Sequence, residues 1–155
     1  VRSVVGRVRA RMLSTPPGRR PRSAGVPRRA AMRLNHLHLH VADIERAASF
    51  WCESFGLRRG RRSGDVLFLN DDGGFDLALC EETDPVPLPE PLHLGFRLDS
   101  VLEVEQLHDR LLRAGRDLAE PLTEEADLVR FRIADPDGHL VEVYWERGAP
   151  HQPTA

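Results

Sequence analysis

From residue 34 onward, apolar and polar positions follow a plan that occurs twice. LNHLHLHV alternates large apolar residues with histidine, the period of a half-buried strand, so His36, His38 and His40 are expected on one face. Asp43 follows as an N-cap. Ile44, Ala47, Ala48, Trp51 and Phe55 then recur at helical spacing until Gly56, a suitable stop. RRGRRSG reads as a polar strand or loop, and DVLFLN and FDLALCE as two strands joined by the turn DDGG. The second half repeats this order. LHLGFRL is a strand, and Ser100 with Glu103 forms a capping box. Val104, Leu107, Leu111 and Leu112 mark one face of a helix that Gly115 can end. A weak strand around DLAEPL and clear ones in VRFRIA and HLVEVYW complete the set, the last two joined by DPDG. The halves superpose, with His36 on His93, Asp43 near Asp99, and DDGGFDLAL on DPDGHLVEV. The pattern predicts an α+β fold of two βαβββ modules, about 32–83 and about 90–147. They form one domain, 32–147, with the Pro-rich TDPVPLPEP as linker and 148–155 as a flexible tail.

The stretch before that plan has a different character. Residues 1–31 hold nine arginines, no acid, and many Pro, Gly and Ser residues without a sustained apolar run, so a disordered extension is expected there. Arginine interrupts every apolar core that a secretory signal would need, and no apolar span is long enough for a membrane helix. An organellar transit peptide or an arm touching anionic surfaces fits the same composition, but the simpler expectation is that Met32 starts the folded domain. The formal net charge of -2 hides this asymmetry, because without the extension thirteen arginines face 24 acids. An acidic body argues against nucleic-acid binding. Lysine is absent, which removes Schiff-base and lysine-nucleophile chemistry. Cys52 and Cys80 are too few for a disulfide framework. They suit a reducing cytoplasm as buried small apolar residues.

Candidate chemistry lies where a strand carries a polar residue that its pattern does not need. Glu142 sits within HLVEVYW, and an unpaired carboxylate on an inward face is costly to bury. His93 and the HLHLH strand open the two halves. A fold that pairs the halves can bring His36, His93 and Glu142 around one cavity, with Tyr144 sharing the face of Glu142. A lone strand histidine is ordinarily exposed or hydrogen-bonded. The matching places of His36 and His93 in the repeat give the set its weight, because two histidines and one carboxylate suit a divalent first-row metal with open positions. His108 and His139 are expected in solvated or capping roles.

LNHLHLHVADIERAASFW, PLHLGF and DPDGHLVEVYW resemble the opening strand and helix, central strand and closing hairpin of the vicinal oxygen chelate superfamily. That superfamily includes glyoxalase I, fosfomycin-resistance thiol transferases, extradiol dioxygenases and bleomycin-binding proteins. The resemblance implies a cupped mixed sheet around one divalent metal, held here by His36, His93 and Glu142. It favours Fe(II) or Mn(II), with Zn(II) or Ni(II) as alternatives. His38 is the implied second-shell group or proton carrier, with Tyr144 a further catalytic candidate and His40 peripheral. Glyoxalase I uses a fourth ligand where this chain has Ala78. The thiol-transferase branch expects a Ser- and Gly-rich loop where this chain has PLTEEADL, whose acidity opposes a phosphonate. The expected activity is therefore that of an oxidoreductase, an extradiol ring-cleaving dioxygenase-like enzyme acting on a small oxygenated substrate. Glyoxalase-like lyase or isomerase, thiol transferase, and non-catalytic drug- or metabolite-binding protein are the alternatives. The resemblance also implies a homodimer, with a site built by two subunits as one arrangement.

Overall fold

The structure, a computed structural model, describes residues 33–148. The extension expected over 1–31 and nearly all of the tail expected over 148–155 lie outside the described residues. The elements run β1 (His36–Val41), α1 (Ile44–Phe55), β2 (Arg58–Ser63), β3 (Val66–Asn70), β4 (Asp76–Glu81), β5 (Leu94–Arg97), α2 (Val101–Arg113), β6 (Leu118–Glu125), β7 (Leu128–Ala134) and β8 (Leu140–Glu146). They form two four-stranded mixed sheets, ordered β1-β4-β3-β2 and β5-β8-β7-β6, so each module repeats the other's topology. In both, the first strand lies parallel to the last. His38 stands beside Ala78 in one sheet as Gly95 stands beside Glu142 in the other.

Local chemistry sets the helix boundaries. The Asp43 carboxylate accepts the backbone N–H groups of Glu45 and Arg46, and Gly56 closes α1 in the left-handed conformation that favours glycine. In α2, Ser100 and Glu103 form the reciprocal capping box. Each helix covers one face of its own sheet. Leu39, Val41, Leu77, Leu79 and Trp51 are buried in the first module, and Val129, Phe131, Ile133, Val141 and Val143 in the second. Fully burying such side chains contributes about 1.5–3 kcal/mol each. Leu112, expected on the inner face of α2, is instead 48% exposed, since Val104 and Leu111 already fill that face.

The modules meet through their helices and one turn. Phe96 of β5 stacks on Phe55 of α1 with ring centroids 4.6 Å apart, and the Arg110 guanidinium donates to the Glu53 and Ser54 carbonyls at 2.8 Å each. At the β7–β8 turn, His139 is 1% exposed rather than solvated. Leu88 N–H donates to its Nδ1 at 3.2 Å, which puts the ring proton on Nε2, and Nε2 donates to the His40 carbonyl at 2.9 Å. Asp137 accepts Ala42 N–H and the Arg46 guanidinium, 3.0 Å each. The turn thus ties the second module to the end of β1. Each sheet keeps its other face uncovered by its helix. Among the described residues no helix is long and apolar enough to cross a membrane.

Candidate metal centre

On the uncovered face of the second sheet, two potential ligands converge. His93, just before β5, has its Nδ1 2.8 Å from the Pro91 carbonyl. A carbonyl can only accept, so Nδ1 carries a proton and Nε2 is the nitrogen turned outward. That nitrogen lies 3.3 Å from Oε2 of Glu142, which β8 places on the same face through its alternation with buried Val141 and Val143. With Nε2 deprotonated, that nitrogen and Oε2 both offer lone pairs, and a cation between them would accept both. A histidine whose Nδ1–H is held by a carbonyl is also the usual second-shell arrangement of a metal ligand. The donor set therefore fits a divalent metal. Gly95, in register with Glu142, leaves the space beside it open, and a Cβ there would come 3.4 Å from the Tyr144 ring.

The other oxygen of Glu142 belongs to β7. Oε1 accepts Arg130 Nη1 at 2.9 Å, Arg132 Nη2 at 3.3 Å and Arg132 Nε at 3.4 Å. Burial pushes the Glu142 carboxyl up, but the Arg130 hydrogen bond and the charges of His93, Arg132 and Arg130 outweigh it and hold it below the ordinary glutamate value. Both arginines escaped the sequence reading. The signal was available, because VRFRIA alternates arginine with buried residues, and the DPDG turn sets Arg132 directly opposite Glu142.

His36 lies on the uncovered face of the first sheet. Its Nδ1 is 3.2 Å from Asn35 Oδ1, leaving Nε2 available as in His93. His38 shares this face, edge-on to His36 at 5.7 Å and to Phe68 at 6.2 Å, and Arg61 lies over the Phe68 ring at 3.4 Å. Cys80, only partly buried, has Sγ 3.5 Å from His38 Nδ1. Burial pushes that thiol up, so an S–H group donates to Nδ1 and the His38 ring proton sits on Nε2. His40 pairs with Glu82 at 2.6 Å, away from this group. Tyr144 is half-buried on the face of Glu142, beside Arg97 and Arg130 in register. Thus the structure joins His93 to Glu142. Among the described residues, however, no three His, Cys, Asp or Glu side chains of one chain gather as a metal-holding set, so His36 does not complete the pair within a single chain.

Residues 33–143 match the family model described as Glyoxalase/Bleomycin resistance protein/Dioxygenase superfamily. The chain is 32% identical to "Glutathione transferase FosA" of Serratia marcescens over 117 residues, 72% of this chain and 79% of that protein. It is 28% identical to the "Probable trivalent organoarsenical cleaving enzyme" of Bacillus subtilis over 120 residues, 75% of this chain and 82% of that protein. Its fold is similar to the solved structure of "a possible Glyoxalase from Bacillus cereus", with a TM-score of 0.63 and 32% identity over 73% of this chain and 98% of that one. With the repeated βαβββ topology and this match over most of its length, the chain belongs to the glyoxalase/bleomycin resistance protein/dioxygenase superfamily.

Proposed function

We propose that this protein is a divalent-metal-dependent thiol transferase, joining a thiol such as glutathione to a small electrophile. This replaces the ring-cleaving dioxygenase expected from sequence. That expectation rested partly on the acidity of PLTEEADL, which was to repel a phosphonate. β6, which carries its Glu124 and Glu125, is an edge strand separated from β8 by β7, and Asp127 is paired with Arg147 at 2.7 Å. Beside Glu142 the face presents arginine instead. The named relative that transfers glutathione agrees with this chemistry.

The observation that carries the reading is the convergence of His93 Nε2 and Glu142 Oε2 on an uncovered sheet face. These two, with His36 of a second copy, would hold the metal, Mn(II) or Fe(II) by donor type. When bound, the metal supplies a Lewis acid that polarises an oxygen of the electrophile. The thiol gives its proton to solvent, its sulfur forms the new C–S bond, and the carbon–oxygen bond of the electrophile breaks. The released oxygen takes the His38 Nε2 proton as His38 Nδ1 takes the proton of the Cys80 thiol, and solvent returns a proton to the Cys80 sulfur. The homodimer completes the site, because His36 stands on one sheet and the His93–Glu142 pair on the other. Tyr144 shares the strand face of Glu142.

The test supplies Mn(II), Fe(II), Ni(II) or Zn(II) anaerobically, then fosfomycin with glutathione, methylglyoxal with glutathione, or a catechol with oxygen. Formation of the glutathione adduct with metal, lost by more than about 100-fold in His93→Ala and Glu142→Ala, is the expected result. Ring fission of catechol with no thiol adduct would overturn the proposal.

A further inference from the structure

The linker between the modules reaches His93 without belonging to either sheet. Val86, Pro87, Pro89, Glu90, Pro91 and Leu92 are exposed, whereas Leu88 is half-buried against the core. Its N–H donates to Nδ1 of His139 at 3.2 Å, in a ring that is 1% exposed and whose Nε2 donates to the His40 carbonyl at 2.9 Å. The turn also lies against the residue before Leu88. Gly138 has a φ of +87°, which suits glycine, and a Cβ there would come 3.5 Å from Cβ of Pro87. Leu88 is thus the point at which the β7–β8 turn pins the linker.

Three residues farther along stands the group that orients His93. An extended chain covers at most about 10 Å between Leu88 and Pro91. The Leu92 N–H donates to the Pro89 carbonyl at 2.8 Å, so this stretch is folded into a turn. The Pro91 carbonyl then accepts the Nδ1–H of His93, which leaves Nε2 to face Glu142. From Leu94 onward the chain is held by the pairing of β5 with β8. The sheet therefore fixes the backbone on one side of His93, and the linker fixes the direction of its ring from the other. Resting on the metal site proposed above, we infer that His139 is a positioning residue for the transfer reaction. Through Leu88 it sets the Pro91 carbonyl, and through that carbonyl it aims Nε2 of His93 at the metal. Orientation of a ligand by such outer partners is worth as much to metal affinity as a poorly chosen ligand costs, commonly tenfold or more.

Two amide substitutions separate this role from the join between the modules. In His139→Asn, Oδ1 takes the place of Nδ1 as acceptor for Leu88 N–H, and the reach to His40 is lost. In His139→Gln, the terminal amide takes the place of Nε2 as donor to the His40 carbonyl, and Leu88 loses its acceptor. Mn(II) binding to the full chain is measured from the electron paramagnetic resonance signal of free Mn(II), at a temperature well below the unfolding midpoint of each variant. His139→Asn is expected to bind Mn(II) like the unaltered protein. His139→Gln is expected to bind it about tenfold more weakly, the lower range for a group that orients a ligand. Leu88→Pro deletes the donor while the ring stays, at a position already flanked by two prolines, and is expected to match His139→Gln; it decides the question if that variant does not fold. Unchanged affinity in His139→Gln or in Leu88→Pro, or a loss in His139→Asn as large as in His139→Gln, would overturn the inference. Absence of Mn(II) binding by the unaltered protein, or binding that survives His93→Ala, would instead remove the metal site and this inference with it.

Discussion

His38 and His93 are both strand-associated imidazoles, yet their neighbours assign them different work. The Pro91 carbonyl accepts the Nδ1–H of His93 and leaves Nε2 to face Glu142. The Cys80 thiol donates toward Nδ1 of His38 and leaves Nε2 as a donor. His38→Gln is therefore expected to lower turnover by about 100-fold, the lower range of general acid–base effects, while Mn(II) affinity stays within a few-fold. A matched loss of metal binding, read in the same titration, would make His38 a ligand instead. Sequence made the shared face of His36 and His38 legible, because strand alternation is a property of residue order. It could not show these proton positions, since one depends on a backbone carbonyl and the other on a cysteine in a strand that pairs with β1 only after folding. Cys80 itself, read as a buried apolar residue, is partly open and faces the histidines.

Among the elements, the helices and their caps were plain from Asp43, Gly56, Ser100 and Glu103, because capping is chemistry among residues a few positions apart. The β7–β8 turn was recognised as a turn but not as a tie. Its partners are the His40 carbonyl, Leu88 N–H and Ala42 N–H, backbone groups that carry no sequence signature. Replacing His139 by alanine removes a ring that is almost wholly buried and strands two of those backbone groups. The expected cost is about 2–4 kcal/mol, combining a lost buried side chain with unsatisfied polar groups. Urea unfolding followed by far-ultraviolet circular dichroism measures it. His108→Ala serves as the comparison, since that histidine lies edge-on to Phe131 and bonds only its neighbour Asp109. Equal losses in the two variants would show that the turn carries no special share of the join between modules.

At the scale of the whole molecule, the internal repeat explains both what one chain builds and what it leaves out. Each module uses one sheet face for its helix, and the modules then join through helices and the turn. The first sheet consequently holds His36 and His38 on an uncovered face, while the second holds His93 and Glu142 on another. Two copies related by a two-fold axis can set the first sheet of one chain against the second sheet of its mate, giving two equivalent sites per dimer. This arrangement makes a prediction that a single-chain site does not. His36→Ala and Glu142→Ala each break both sites of their own homodimer. In a mixed dimer, however, the chain with intact His36 meets the chain with intact Glu142 at one of the two sites. Unfolding and refolding the two variants together yields mixed dimers for about half the population, so Mn(II) binding and thiol transfer should recover to roughly a quarter of the original level. Size-exclusion chromatography tests for the dimer, and mixing without refolding provides the baseline. Recovery that stays at that baseline would place His36 outside the metal site, because a ligand contributed by a second copy must be rescued by it.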